Sequence, residues 1–334
     1  MAYKAKTQRM NKIEPSVLTM AFVLPAGVGV STVDLSQCAS LVNRRFYRQG
    51  INWAVAGFKV ISPSGATGAL TVAQLPNTWT LSNSWEKGMR AWQRMNREAL
   101  SEADSVRPRF LDFKIYADAD HHQLGYGANL LPIDLNGIVA TPGEWEPSKF
   151  HIPLATPADP TATADREMVA VGPNYPGNGA SGYNAVSLIE GYAASRGLPN
   201  VLDPNAPVDA ADTAGNTPAN WLSAVFNDGT DQNEEVLESM ISENNIAPYP
   251  FENDGVNLDT MYPGGANQLA TLQYHDSALI SGTTIGGITR LKGGNFPCGL
   301  IRVSSNIDAP NTVLVVDLIP GSHRGYLCEP MTEM

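Results

Sequence analysis

From Gly197 to Thr289 the chain has no lysine and no arginine, while thirteen aspartates and glutamates fall in the same stretch. Charge is scarce overall. Charged residues are 16% of the sequence, against roughly 25% in ordinary soluble domains, which suits a protein that hides much of its surface against copies of itself. Cysteine is scarce too. Cys38, Cys298 and Cys328 lie far apart with no CxxC spacing, so neither a disulfide framework nor a zinc ribbon is expected, and buried thiols are. No apolar run approaches the ~18 residues that span a bilayer, and no N-x-S/T sequon occurs. The catalytic signatures GxxxxGK[ST], HExxH and GxSxG are all missing.

The charge that is present is partitioned. The first 114 residues carry fifteen Lys/Arg against seven Asp/Glu, while the whole chain has a net charge of −11. A single enzyme core has no need for this. A shell subunit with one part facing polyanion and another facing outward does. Residues 1–15 read as a short basic arm, 16–334 as one domain, and about 197–265 as an acidic surface-loop excursion that contains Pro199, Pro204, Pro207 and Pro218. The arm followed by the apolar run Val17–Leu24 imitates a signal peptide, but Glu14-Pro15 interrupts the junction and the run is short.

Strand signals dominate. In Val17–Leu24, Leu18, Met20, Phe22 and Leu24 alternate with smaller residues, the period-two pattern of a half-buried strand. Ile51–Ile61, Leu70–Leu75, Phe110–Ala117, Trp145–Ile152, Glu167–Val171, Gln268–Tyr274, Ala278–Thr289, Gly299–Ser304 and Thr312–Ile319 are further strand candidates. About ten strands separated by turn residues indicate an all-β sandwich or barrel, with Gly (30) and Pro (24) supplying the turns. The clearest helix is Ser84–Leu100, where Asn83 and Glu86 form a capping-box pattern. Trp85, Met89, Trp92 and Met95 make its apolar stripe, expected against the body of the fold, and Lys87, Arg90, Arg94 and Arg97 its basic face. Asp231–Asn244 reads as a second helix, with weaker patterns at Leu35–Val42 and Asn184–Ser195.

Candidate chemistry is sparse. The one GxGxxG, Gly177 to Gly182, follows Pro173 and Pro176 rather than a strand, and reads as a glycine turn. Asp118-Ala119-Asp120-His121-His122 has metal-ligand residue types, but neighbouring side chains on an extended segment diverge, so a polar turn is expected and no metal or cofactor. His151 reads as a surface residue. His275-Asp276 and His323 lack a nearby nucleophile, and Glu144 with Glu146 has no evident sugar cleft. No enzymatic activity is expected. The binding signals are Lys4, Lys6, Arg9 and Lys12 in the arm, and Arg44, Arg45 and Arg48 interleaved with Phe46 and Tyr47. Basic groups attract phosphate, and aromatic faces can stack on unpaired bases; the alternative for the second cluster is a strand edge with packed aromatics and exposed arginines.

Several blocks carry a resemblance. These are Ser84-Trp85-Glu86-Lys87-Gly88-Met89-Arg90-Ala91-Trp92, the run from Arg107 to Tyr116, Leu131-Pro132-Ile133-Asp134 and Gly143-Glu144-Trp145-Glu146. With the basic N-terminus they resemble the capsid proteins of small circular Rep-encoding single-stranded DNA viruses, most closely in the first half. The resemblance implies a single jelly roll of two packed four-stranded antiparallel sheets with a few helices in long loops. It also implies a virion protein that assembles with itself into an icosahedral shell of about 60 copies, around circular ssDNA, with a host receptor outside and no membrane. Relatives commonly carry a long arginine-rich arm, whereas this arm has four basic groups. A lectin-like or receptor-binding sandwich is the alternative.

Overall fold

The computed structural model describes residues 15–101, 112–153, 163–174, 177–195, 222, 271–283 and 287–333. The structure is a jelly roll. Its first sheet contains β1 (Thr19–Val23), β3 (Ile51–Ile61), β9 (Ile288–Phe296) and β11 (Val313–Leu318), in the order β1-β11-β3-β9. Its second contains β2 (Gly29–Asp34), β4 (Gly68–Gln74), β8 (Gln273–Ile280) and β10 (Leu300–Ser305), in the order β2-β10-β4-β8. Each of these neighbour pairs is antiparallel. The first of the eight strands pairs with the last, the second with the seventh, the third with the sixth and the fourth with the fifth. That nesting is one long hairpin rolled up around a core.

Period-two alternation builds the core. Met20, Phe22, Phe58, Val60, Leu314 and Val316 from the first sheet meet Val33, Leu70, Val72, Ile301 and Val303 from the second, all buried. On one flank the sheets close through β8 and β9, where the Lys292 amide donates to Asp276 Oδ2 at 2.8 Å. On the other flank the edges of β1 and β2 are bridged by a loop. The Leu130 amide donates to Thr32 O at 2.9 Å, and the Ile133 amide to Ala21 O at 2.8 Å.

Among the described residues, the long connections all leave from one end. The turns at the other end are short, at residues 24–28, 62–67, 281–287 and 306–312. The β2–β3 connection carries α1 (Leu35–Asn43). The β4–β8 connection, residues 75–272, carries α2 (Trp79–Ser101), α3 (Ala119–Leu124), β5 (Phe150–Pro153), β6 (Thr163–Val169), β7 (Ala185–Ser187) and α4 (Leu188–Ser195). This insert has its own core, in which Trp85, Trp92, Phe113, Phe150, Met168, Leu188 and Leu222 are buried with Cys298, Leu300 and Met331. The C-terminal tail adds β12 (Pro320–Gly321), β13 (Gly325–Tyr326) and β14 (Cys328–Pro330), which pairs with the start of β3.

The structure redraws several expected elements. Helix α2 starts at Trp79, not Ser84, because Thr78 Oγ1 accepts the Leu81 amide at 3.4 Å and acts as its cap. Its tryptophans pack in the insert core rather than on the jelly-roll core, with Trp92 5.7 Å from Phe113 between ring centroids. At Gly88 the helix lies so close to α4 that a Cβ would sit 2.6 Å from Leu188 Cδ2. The described part of Phe110–Ala117 is extended but forms only one bridge, Tyr116 to Val169. Its amides go to side chains instead. Lys114 N–H donates to Ser148 Oγ, Ile115 N–H to Gln49 Oε1, and Gln49 Nε2 donates back to Ile115 O. Trp145–Ile152 shrinks to β5, and the run Ala278–Thr289 contains the β8–β9 turn. The helix expected at Asp231–Asn244 and nearly all of the acidic excursion lie outside the described residues.

Candidate functional site

The arm residues Lys4, Lys6, Arg9 and Lys12 lie outside the described residues. The loop that carries Arg44, Arg45 and Arg48 is described, and its backbone is fixed. Asp34 caps α1, accepting the Ser36 and Gln37 amides at 2.9 and 3.2 Å. At the other end of α1, Arg44 takes the left-handed conformation with φ 52° and is exposed. Tyr47 then enters the jelly-roll core, 5.9 Å from Trp53 and 5.5 Å from Tyr326 between ring centroids. Gln49 is fully buried, and its amide donates to Asp112 Oδ1 at 3.2 Å. Arg48 is therefore held outward between two anchored residues.

Phe46 and Tyr47 take the packed-aromatic alternative rather than stacking on bases. Tyr47 has no exposed face, and Phe46 packs 6.2 Å from Trp145, with Lys114 Nζ 4.1 Å from the Trp145 ring centroid. Tyr47 is buried and Arg44 and Arg48 are exposed, with Arg45 and Phe46 partly covered between them.

Arg48 borders a cleft of about 590 Å³. Its apolar wall comes from Trp85, Met89, Trp92 and Phe113 of the insert, with Ile51 and Met331 from the jelly-roll side. His323 and Arg324 of the tail also line it, and the Arg324 guanidinium donates to Phe46 O. Asp112 lines the same cleft. Burial pushes its carboxyl up to about 6, and Lys114 only partly opposes that. The lining thus joins an apolar wall to Arg48, His323 and Arg324, with Asp112 as the one acid among them.

A second positive surface was not expected from the sequence. On the outward face of the first sheet, Lys59 pairs in register with Arg290, and Lys292 stands opposite Gly57. Asp317 forms an ion pair with Lys59. Arg290 and Lys292 are exposed. The signal was in the sequence, because Ile288, Arg290 and Lys292 alternate against the buried Leu291. Across the same face runs an apolar row of Val23, Val313, Ile61 and Ile288.

The Asp118–His122 cluster is structural, and it is a helix start rather than a turn. Asp118 caps α3. Asp118 and Asp120 both grip Arg302, which lies on the outward face of β10 and is 7% exposed. His121 Nδ1 accepts the Ala117 amide at 3.1 Å while Nε2 meets Asn129 at 2.9 Å, and burial holds its imidazole down to about 3. His122 pairs with Glu167 at 2.9 Å, both fully buried. These pairs fasten the insert, although His122 Nδ1 and Glu167 Oε1 are buried without a hydrogen-bond partner, and among the described residues no cluster of His, Cys, Asp and Glu could hold a metal ion. His151 is exposed beside Asp165, and Gly177–Gly182 is a turn closed by an Asn178–Asn184 bridge. Glu144 and Glu146 are both exposed. No described helix is long and apolar enough to cross a membrane. Comparison of the chain with protein-family models, curated proteins and solved structures found no match.

Proposed function

We propose that the chain is a viral capsid protein that assembles with itself into a small icosahedral shell around a circular ssDNA genome. The observation that carries this reading is the strand order. The jelly roll is a recurrent coat-protein architecture, and here the described residues leave the outward face of the first sheet uncovered and send every long connection from one end. A subunit built this way can pack side by side while the insert decorates the contacts. The bare face carries Lys59, Arg290 and Lys292, and we assign it to the lumen with the basic arm, where cations meet phosphate. The resemblance of the sequence blocks to capsid proteins of circular ssDNA viruses points the same way. In this reading the protein is structural, with no catalytic step.

Size-exclusion chromatography with negative-stain microscopy tests it. Closed particles of uniform size are expected, with interfaces that each bury about 1,200–2,000 Å². A chain that stays monomeric over a broad range of salt and pH would overturn it. The aromatic cleft favours one competing reading, a lectin-like or receptor-binding module. That reading requires monomers or small rings with saturable ligand binding.

A further inference from the structure

We propose that the hairpin at residues 132–140 of one copy inserts its apolar tip into the cleft beside α2 of the neighbouring copy. The inference rests on the shell reading and names one of its contacts. Leu135 is wholly exposed, Ile138 is 64% exposed and Val139 53%. Single exposed apolar residues are normal, but three at the tip of one short hairpin mark a contact surface.

The tip is also preformed. Asp134 Oδ1 accepts the amides of Asn136 and Ile138, each at 2.8 Å. The Asp134 amide donates to Ile138 O at 3.0 Å, and Gly137 supplies the positive φ of 75° that the turn requires. The base is tied by Ala140 N–H to Pro132 O at 2.9 Å and by Ile133 N–H to Ala21 O. Little ordering cost remains to be met on docking.

The occupant follows from charge and shape. Residues 130–148 contain Asp134, Glu144 and Glu146, all exposed, and no lysine or arginine. The cleft has an apolar floor of Trp85, Trp92 and Phe113 with Arg48, His323 and Arg324 at its border. An apolar tip with acidic flanks therefore meets an apolar floor whose border carries Arg48, His323 and Arg324 against one acid, Asp112. The hairpin does not fill the cleft of its own chain, because Leu135 is wholly exposed. Knob and cleft are different surfaces, so the contact is head-to-tail, and such contacts close into rings when the rotation permits.

The test uses the full chain. Leu135→Asp should reduce particle yield at least about tenfold, the factor that corresponds to losing about 1.4 kcal/mol at one anchor side chain. Its melting temperature as a subunit should not change, because the side chain touches nothing in its own chain. In a second arm, a tagged Leu135→Cys chain is mixed with a Gln93→Cys chain under mild oxidation. Gln93 is exposed at the cleft. A disulfide-linked heterodimer is expected, and its absence with wild-type partner is the control. Particles that form normally from Leu135→Asp, or that give no 135–93 cross-link, overturn the contact while leaving the shell reading intact. Protection of the Gln93→Cys thiol from a thiol reagent by oligo-dT, but not by assembly, would give the cleft to nucleic acid and equally overturn it. If wild-type chains form no particles, the shell reading fails, and the cross-link in whatever smaller oligomer exists still decides the contact.

Discussion

The eight-stranded frame and the insert between β4 and β8 are held together differently. In the frame, backbone groups pair with backbone groups, and side chains have only to alternate. In the insert, backbone groups often pair with particular side chains. Gln49, reaching in from the β2–β3 connection, contacts Asp34, Asp112, Ile115 and Tyr126. Trp145 Nε1 and Gln49 Nε2 both donate to the buried Asp34 carboxylate at 3.1 Å. A ladder tolerates many sequences, whereas a network of buried side chains depends on each member. The frame sets the architecture, and the insert is where a single substitution removes something specific.

The two regions nevertheless share residues, and the largest expected effect tests that coupling. Cys298, Leu300 and Met331 belong to the frame and tail but pack in the insert core, and Ser82 Oγ donates to Met331 O at 2.8 Å. Trp53→Ala in the frame and Trp92→Ala in the insert should each cost about 3–5 kcal/mol. Both variants should unfold in a single transition followed by calorimetry and far-UV circular dichroism. If Trp92→Ala instead melts the insert first and leaves a folded frame, the regions are independent.

Arg302 sharpens the comparison, because it is a frame residue gripped by the insert. Arg302→Met leaves Asp118 and Asp120 without their cation. Asp120 is largely exposed and Asp118 partly so, so about 2–3 kcal/mol is expected, below the roughly 3–5 of a wholly buried broken pair. Denaturant titration reads it. Asp118→Asn/Asp120→Asn in the same background should recover part of the loss. No recovery would mean that Arg302 acts through packing alone.

Acid acts on the insert through opposing groups, of which Asp112 and His121 are the clearest pair. The folded state holds the Asp112 proton up to about 6, while the unfolded chain loses it near 3.8. Asp112 therefore adds stability as pH falls through that window. His121 works the other way. It stays neutral in the folded state down to about 3, whereas the unfolded chain protonates near 6.5, so stability is lost as pH falls from 6.5 towards 3. Burial also raises the Asp118 and Glu190 carboxyls, which act with Asp112. Relative to the wild type, Asp112→Asn should make acid more destabilising between about pH 7 and about pH 4.5, and His121→Asn less so. Denaturant midpoints at the two pH values check both, and equal slopes in all three proteins would refute the assignment.

The same contrast explains what is legible in the sequence. Ile51–Ile61 matches β3 at both ends, and Leu70–Leu75, Gly299–Ser304 and Thr312–Ile319 each fall within a residue or two of a strand. Period two is a local signal and survives without knowledge of the partner. Gly29–Asp34 escapes it because the exposed Val30 and buried Val33 break the alternation. Phe110–Ala117 reads as a paired strand because nothing local reveals that Gln49 and Ser148 will take its amides. The capping box at Asn83 and Glu86 is plausible chemistry in the wrong turn. Among site residues, Arg48 is legible as a basic group, but its cleft joins residues 46–51, 85–93, 112–113 and 323–332, which no spacing rule connects.

The smallest expected effects on stability are those at the exposed cations, and they separate binding from folding. Arg44→Ala, Arg48→Ala, Arg290→Ala and Lys292→Ala remove surface charges, and each should alter stability by no more than about 0.5 kcal/mol. Their effect on polyanion depends on where they face. If the bare face of the first sheet lines the lumen, Arg290→Ala/Lys292→Ala should lower the absorbance ratio at ~260 and ~280 nm of purified particles. It should also reduce the salt slope of ssDNA binding by ~0.7 for each phosphate no longer neutralised. Arg48, assigned to the interface between copies, should leave the slope unchanged and weaken assembly instead. The reverse pattern, with Arg48→Ala emptying particles while Arg290→Ala/Lys292→Ala leaves them loaded, would place nucleic acid at the insert end and turn the subunit over in its shell.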